Sequence, residues 1–440
     1  MREMKKGVIL IIALSVLTAL VVIGGGYFSY VISEKKEVDR TLARRKAFYL
    51  AEAGLDIALT RMRSGSMNNF SGNLGEGSYT VNIQNLGSLV YRVSATGEVS
   101  DSAGNLLSRQ TLSIYAKDAP FNVYSYFTNS EYYTLSFCFW GWCWVIQQPV
   151  WFIGGDTLHG PVFTNSEFHI SGNPSFYGPV GSHGDTIIYM HGPHQDNPYF
   201  DPNYSPNPNL GQPIINAPSS FDDDSNLQAL KTQGEYFYGD TTIVFKSDGT
   251  MDVTNAARGW INHNMPVPNG EGIFIDSGNL YIKGVLDGEI TLGAEDQSGN
   301  KGNIVITDNL RLKSRYDEEE TLREGFSIPS DSDDYLGLIA EKNVIVSKNA
   351  PYDVEIDASI MALGGSFIVE SWYDPNYNKG TLTVLGGIVQ SERGPVGTFS
   401  QGGKVSGYSK NYIYDERLSH QILPYFPTTK TFEVISWRKE

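Results

Sequence analysis

The chain has 440 residues, 40% hydrophobic and 19% charged, enough for two or three folding units around real cores. With 46 Gly, 20 Pro, 7 Trp, 26 Tyr and 21 Phe it is neither collagen-like, low-complexity nor a solvated acidic tail, and 2 Cys cannot build a disulfide scaffold or a four-thiolate zinc site. A net charge of −16 excludes the clustered Lys and Arg that nucleic-acid binding needs.

The charge is uneven. Arg2, Lys5 and Lys6 stand against Glu3 at the start, and from Val8 to Ser33 there is no charge at all. A bilayer-spanning helix needs roughly 20 apolar residues, so this run predicts a membrane anchor. It is too long for the apolar core of a cleaved secretory signal and no small-x-small site closes it. The basic residues ahead of it predict an N-terminus inside and everything after residue 33 outside. The segment from Glu34 to Met62 has strong helix formers and no Pro. Val38, Leu42, Ala51, Leu55, Ala58 and Met62 form an apolar stripe, and Gly65 is a C-terminal stop. One helix over 8–64 is expected, roughly 80 Å long at 1.5 Å per residue, with Gly24–Gly26 as a soft spot.

Lys5-Lys6-Gly7 ahead of an apolar helix resembles a class III prepilin leader, and the run Arg45-Lys-Ala-Phe-Tyr-Leu-Ala-Glu-Ala-Gly-Leu-Asp56 resembles the helix signature of PilX-type minor pilins. The resemblance implies cleavage by a prepilin peptidase between Gly7 and Val8. Major pilins carry a glutamate five residues after the cut; here that position is Ile12, as in minor pilins and tip pseudopilins. The implied partners are other pilins, the pilus assembly machinery and the peptidase.

Residues 77–117 alternate. Tyr79, Val81 and Ile83 face one way and Thr80, Asn82 and Gln84 the other, with Leu112 and Ile114 alternating likewise. Three antiparallel strands covering the helix stripe are expected, in the helix-then-meander order of pilins. Residues 118–235 are aromatic and turn-rich. Gly160-Pro-Val-Phe-Thr-Asn165 resembles a Gly-Pro-Val-His-Thr-Asn motif of PilX-type proteins, with Phe163 replacing the histidine. A helix from Ser225 to Lys231 is expected behind a cap at Asp222, Asp223 or Asp224. Over 236–440, short apolar runs such as Asn279-Leu-Tyr-Ile282, Asn303-Ile-Val-Ile306 and Val344-Ile-Val346 lie between Gly, Asn and Asp at uneven intervals. They predict an irregular β-solenoid, with a sandwich as the alternative.

Cys138 and Cys143 bracket Phe-Trp-Gly-Trp and, outside the membrane, predict a disulfide. Trp140, Trp142, Trp144 and Trp151 are either the packing of this loop or a contact surface. His183, His191 and His194 with Asp185 or Asp196 fit no metal motif, and neither Asp222–Asp224 nor Asp331, Asp333 and Asp334 match a calcium loop. Asp353, Glu355 and Asp357 share one strand face, where a polysaccharide-cleaving enzyme on a solenoid would hold its acid and base.

The expectation is an α+β, mostly β protein: a leader (1–7), a long helix (8–64, transmembrane over 8–33), a pilin-like β head (65–117), an aromatic segment (118–235) and a β-solenoid-like domain (236–440). It is expected to be a non-enzymatic minor pilin of the inner membrane, acting in filament initiation or adhesion at a tip, with no metal or cofactor and with a surface glycan as a further partner. The alternative is a membrane-anchored β-solenoid that binds or cleaves polysaccharide.

Overall fold

The computed structural model describes residues 2–439 except 88, 141, 205, 206, 318, 320, 401 and 402, and the side chains of 2–10, 137–139 and 324 are not described. The chain forms two compact units: residues 1–119 with 430–440, and residues 120–429. The expected boundary at 117/118 lies near the observed one, that at 235/236 falls inside the second unit, and the last residues return to the first.

In the first unit a single α-helix runs Arg2–Arg63, unbroken through Gly24–Gly26. Its C-terminal third lies on a five-stranded sheet in the order Phe70–Leu74, Gly77–Gly87, Val90–Ser100, Leu106–Pro120 and Thr428–Lys439, of which the first four form an antiparallel meander. The C-terminal strand is an addition to the meander that its sequence, far from the head, does not announce. Alternation sets the packing as expected: Tyr79, Val81, Val93, Ala95, Leu112 and Ile114 face Ala51, Leu55, Ala58 and Met62 of the helix. The stripe begins elsewhere than the apolar spacing predicts. Val38 and Leu42 are exposed, and Ala43, Ala47 and Leu50 pack against Val99 instead. The cause is close approach. A Cβ at Gly97 would sit 2.1 Å from the Ala47 carbonyl oxygen and 2.7 Å from the Ala51 nitrogen. The helix backbone therefore rests directly on the sheet, and only small side chains fit beside it.

The second unit is built from parallel, in-register ladders. In one, Glu235–Tyr238, Glu271–Asp276, Glu289–Glu295, Tyr335–Ala340, Val354–Ala362 and Asn378–Glu392 follow one another in space as in sequence. A second ladder stacks Thr241–Phe245, Leu280–Leu286, Ile304–Leu312, Val344–Val346 and Phe367–Val369. Asn378–Glu392 then pairs with Tyr126–Ser130, which pairs with Val162–Thr164 and onward to Val180–Ser182. The stack thus starts at residue 235, reaches residue 392, and continues through the earlier residues 126–182. Over 152–182 the register is regular: Phe152 pairs with Ile170, Thr157 with Ser175 and Val162 with Val180, each eighteen residues on. Elsewhere insertions break the period, among them the antiparallel pair Thr250–Asn255 and Trp260–Pro266.

Both faces of the first ladder are covered, so strands such as Tyr335–Ala340 are buried along their whole length. Inward residues (Ile243, Ile282, Leu292, Ile306, Leu338, Ile356, Val384) form one core. Outward residues (Phe127, Phe163, Phe274, Ile339, Met361, Val389) form another, closed by Ile215, Phe221, Leu227 and Leu230 and by Leu418, Leu423 and Phe426. The segment 215–230 includes the helix Ser225–Gln233, whose cap is Asp224 accepting from the Asn226 amide, as its sequence predicts. A row of asparagines runs along one corner. The Asn303 amide donates to Asn279 Oδ1 at 3.0 Å, Asn343 donates to Asn303 Oδ1 at 3.2 Å, and the Ser366 N–H donates to Asn343 Oδ1 at 2.9 Å. Asn279 and Asn303 each accept from both backbone and side chain of the next asparagine, and Asn343 accepts from backbone, where a parallel turn leaves donors unpaired.

Two substitutions test these contacts. Gly97→Val forces the helix off the sheet and costs about 3 kcal/mol, read as roughly hundredfold faster amide exchange over residues 43–62. Asn303→Ala strips the acceptor from Asn343 and costs about 1–3 kcal/mol, read as a lower denaturant midpoint of the second unit.

Candidate functional site

Three features carry chemistry or surface that the fold itself does not consume. The first is the N-terminal part of the long helix. Ile11, Leu14, Leu17, Leu20, Val21, Ile23, Phe28 and Val31 are exposed, and this side-chain exposure continues without interruption to Leu42. Among the described residues, one helix is long and apolar enough to cross a membrane, and it is this one. Gly7 and Val8, the expected processing pair, lie within the helical span, with side chains outside the described residues. Behind the apolar run, Glu34, Lys35, Lys36, Glu37, Asp39 and Arg40 supply a polar collar before packing begins at Ala43.

The second feature is a hairpin of Tyr132–Phe139 and Trp142–Pro149, a two-stranded sheet of its own. Cys138 and Cys143 are register partners. Cys143 is disulfide-bonded, and Cys138, whose side chain is outside the described residues, is the chain's other cysteine. The hairpin is fastened at its base, where Thr134 donates to Glu392 through Oγ1 at 2.8 Å and Tyr133 meets Trp372 edge-on. Beyond that base it stands in solvent. Every residue from Trp142 to Pro149 is exposed, Trp142 by 73%. Trp140 turns the chain with φ of 53°. Trp151, by contrast, packs beside His169 at the root.

The third is a set of buried charges. Glu131 and Arg393, both essentially inaccessible, pair at 2.7 Å, and Lys410 pairs with Asp156 at 2.5 Å. Arg393 also lies 3.5 Å above the Phe152 ring. Burial lowers the pKa of Lys410, and Asp156 opposes that. These four residues were missed by sequence reasoning, because nothing local marks partners some 250 residues apart.

The expected carboxylate row is dispersed into contacts. Glu355 is bound by Arg311 at 2.8 Å and Arg315 at 3.3 Å, Asp357 by Arg315 at 2.9 Å, and Asp353 accepts from the Thr381 amide. Asp357 and Arg315 are both 1% exposed, so this pair faces no substrate-sized opening. The acidic runs act locally: Asp223 accepts from Ser219 and Ser220, and Asp334 from Gly288 and Ser314. The histidines do not converge. His183 bonds the Gln212 carbonyl, His169 is buried, and His191 is held by Asp196 at 3.0 Å beside a cleft of about 390 Å³. Among the described residues no three His, Cys, Asp or Glu side chains gather as a metal site would need.

The Gly160–Asn165 segment proves architectural. Phe163 stacks parallel on Phe127 with centroids 6.1 Å apart, Thr128 donates to Thr164 at 2.8 Å, and Asn165 bonds both Asn129 and the backbone of Ile215. A sequence signal stood here unread: Phe-Thr-Asn-Ser-Glu occurs at 127–131 and again at 163–167, on strands that pair in register.

A family described as a domain of unknown function, DUF4900, matches residues 88–184, which run from the head's third strand through the hairpin into the regular part of the stack. Neither the curated proteins nor the solved structures contain a match.

Burial pushes the Asp357 carboxyl up to about 7 against the opposing pull of Arg315. Because its folded pKa lies above the unfolded value, the folded state binds the proton more tightly. The associated stability is complete below about pH 4 and is lost as pH rises toward 7. Equilibrium unfolding from pH 4 to 8 is expected to show this decline in the wild type, and a flatter profile over the same window in Asp357→Asn.

Proposed function

We propose that the chain is a minor pilin or pilin-like component of a type IV pilus or related filament, held in the inner membrane by its N-terminal helix before assembly. The carrying observation is the division of that helix: apolar and exposed up to Ile32, polar over 34–40, packed on its sheet from Ala43. An unpacked, uncharged helical half of this length needs lipid or neighbouring apolar helices around it. Lys5-Lys6-Gly7 before the run, the Ala-Glu-Ala-Gly signature within the packed half and the helix-on-meander head support the pilin reading over a plain anchor. Gly7 and Val8 are then the cleavage pair, and other pilins, the assembly machinery and the prepilin peptidase the partners.

On this reading the second unit is a displayed, irregular β-solenoid outside the membrane. Parallel ladders with an eighteen-residue register over 152–182 support it. A body of some 300 residues on each subunit fits the end of a tightly packed filament better than its repeating wall, which places its work in initiation or adhesion. The engagement of Glu355 by Arg311 and Arg315, and the burial of Asp357 against Arg315, support a non-enzymatic body over one that cleaves polysaccharide.

Mass spectrometry of the N-terminus from cells with an active prepilin peptidase tests this. A mature chain beginning at Val8 is expected, and Gly7→Arg should leave the leader in place. An intact Met1 in such cells would sink the pilin reading.

A further inference from the structure

We propose that the disulfide-closed hairpin is a membrane-insertion element: its tip enters the interface of a second, zwitterionic lipid bilayer. The inference concerns the hairpin alone and holds whether or not the N-terminal helix joins a filament.

The hairpin is unusual in what it lacks. Residues 132–149 contain no Asp, Glu, Lys, Arg or His, in a chain whose part beyond residue 33 carries 30 basic and 48 acidic residues. At its distal end Trp140, Trp142, Trp144, Val145 and Ile146 are 88%, 73%, 55%, 65% and 46% exposed. Alternation along the strand puts Trp142, Trp144 and Ile146 on one face. An exposed apolar patch of this kind is a contact surface.

Charge and area decide the occupant. The acidic body repels anionic lipid and acidic polysaccharide, while the uncharged tip complements a surface of no net charge. A saccharide site places polar groups around its aromatic platform, yet Trp142 to Ile146 offers indole N–H groups and no other side-chain hydrogen-bonding group save the disulfide sulfur of Cys143. A second copy of the chain would need roughly 800 Å² per partner. The three tryptophans present roughly 500 Å² at the area an aromatic side chain can bury. Tryptophan is the residue that settles at the headgroup level of bilayers, and the cross-link holds the tip in shape, so little ordering cost accompanies insertion.

The test uses the full chain held by its helix in phosphatidylcholine nanodiscs, mixed with phosphatidylcholine vesicles that alone carry brominated acyl chains. The expected result is flotation of the protein with the vesicles and quenching of tryptophan emission. Trp142→Ala/Trp144→Ala should lower the vesicle-bound fraction at least tenfold. Val145→Lys, which adds a charge at an exposed position and leaves every ring in place, should do the same with an unchanged melting temperature. Three outcomes would overturn the proposal: no wild-type flotation, equal flotation of the variants, or retention on an immobilised neutral polysaccharide without vesicle capture. Concentration-dependent dimerisation abolished by Val145→Lys, with no vesicle binding, would equally reject it and assign the tip to self-association.

Discussion

The second unit depends on one pairing, that of Ile388–Glu392 with Tyr126–Ser130. It joins a late layer of the chain to an early one, across more than 250 intervening residues, and beside it the still later strand Gly403–Ile413 pairs with Thr157–His159. A contact of such separation is costly in chain entropy and slow to form, and a strand pair offers little by itself to fix which residue meets which. The polar groups at this seam supply the missing specificity. Arg393 binds Glu131 and donates through its amide to the Ser130 carbonyl, Glu392 takes Thr134, Gln390 reaches Tyr126, and one strand along Lys410 binds Asp156. A one-residue slip would strand at least two buried charges, each costing several kcal/mol. Elsewhere the stack is closed mainly by apolar contact and backbone hydrogen bonds, which tolerate slippage better, with the asparagine row and the Arg315–Asp357 pair as further polar markers of register.

This also explains the path of residues 201–234. Having left the stack at one end, the chain must reach the other end to begin the strand at Glu235. It does so along the outer face of the ladder, and Ile215, Phe221, Leu227 and Leu230 cover the row of aromatic and aliphatic side chains that would otherwise face water. The aromatic richness read from the sequence is therefore divided, with Phe152, Phe168 and Phe176 in the inner core and the others put to two further uses. Phe127, Phe163, Phe221 and Phe274 seal this face, whereas the tryptophans of the hairpin remain outside it.

Much of the first unit was legible because its signals are local. An uncharged run, a 3.6-residue stripe and a strand alternation each report on neighbours in sequence, and the Asp224 cap lies one residue from the helix it starts. The stripe's N-terminal half was misread at Val38 and Leu42 because close packing at Gly97 selects small residues rather than large ones. The stack was harder. Its inward positions recur every six residues at Phe152, Leu158, Thr164, Ile170, Phe176 and Ser182, all buried, but two of the six are polar and hide the period. Inserted hairpins and loops then dilute it. The asparagines at 279, 303 and 343 stood in plain view before their strands, yet their partners lie in neighbouring layers. Glu355 and Asp357 do share the strand Val354–Ala362, with Asp353 just ahead of it, but whether such carboxylates are free or engaged depends on Arg311 and Arg315, which arrive from another turn of the chain.

The strand Thr428–Lys439 finishes a sheet whose other four strands lie before residue 121. Everything in between is an insertion, and Phe121 is tied at its amide to the carbonyl of Pro427 where that insertion closes. During synthesis the meander must therefore wait, with an open edge, until residues 428–439 leave the ribosome. A chain truncated anywhere within the body would carry the long N-terminal helix intact but an incomplete head, so the integrity of the intervening body is recorded in the sheet on which that helix packs.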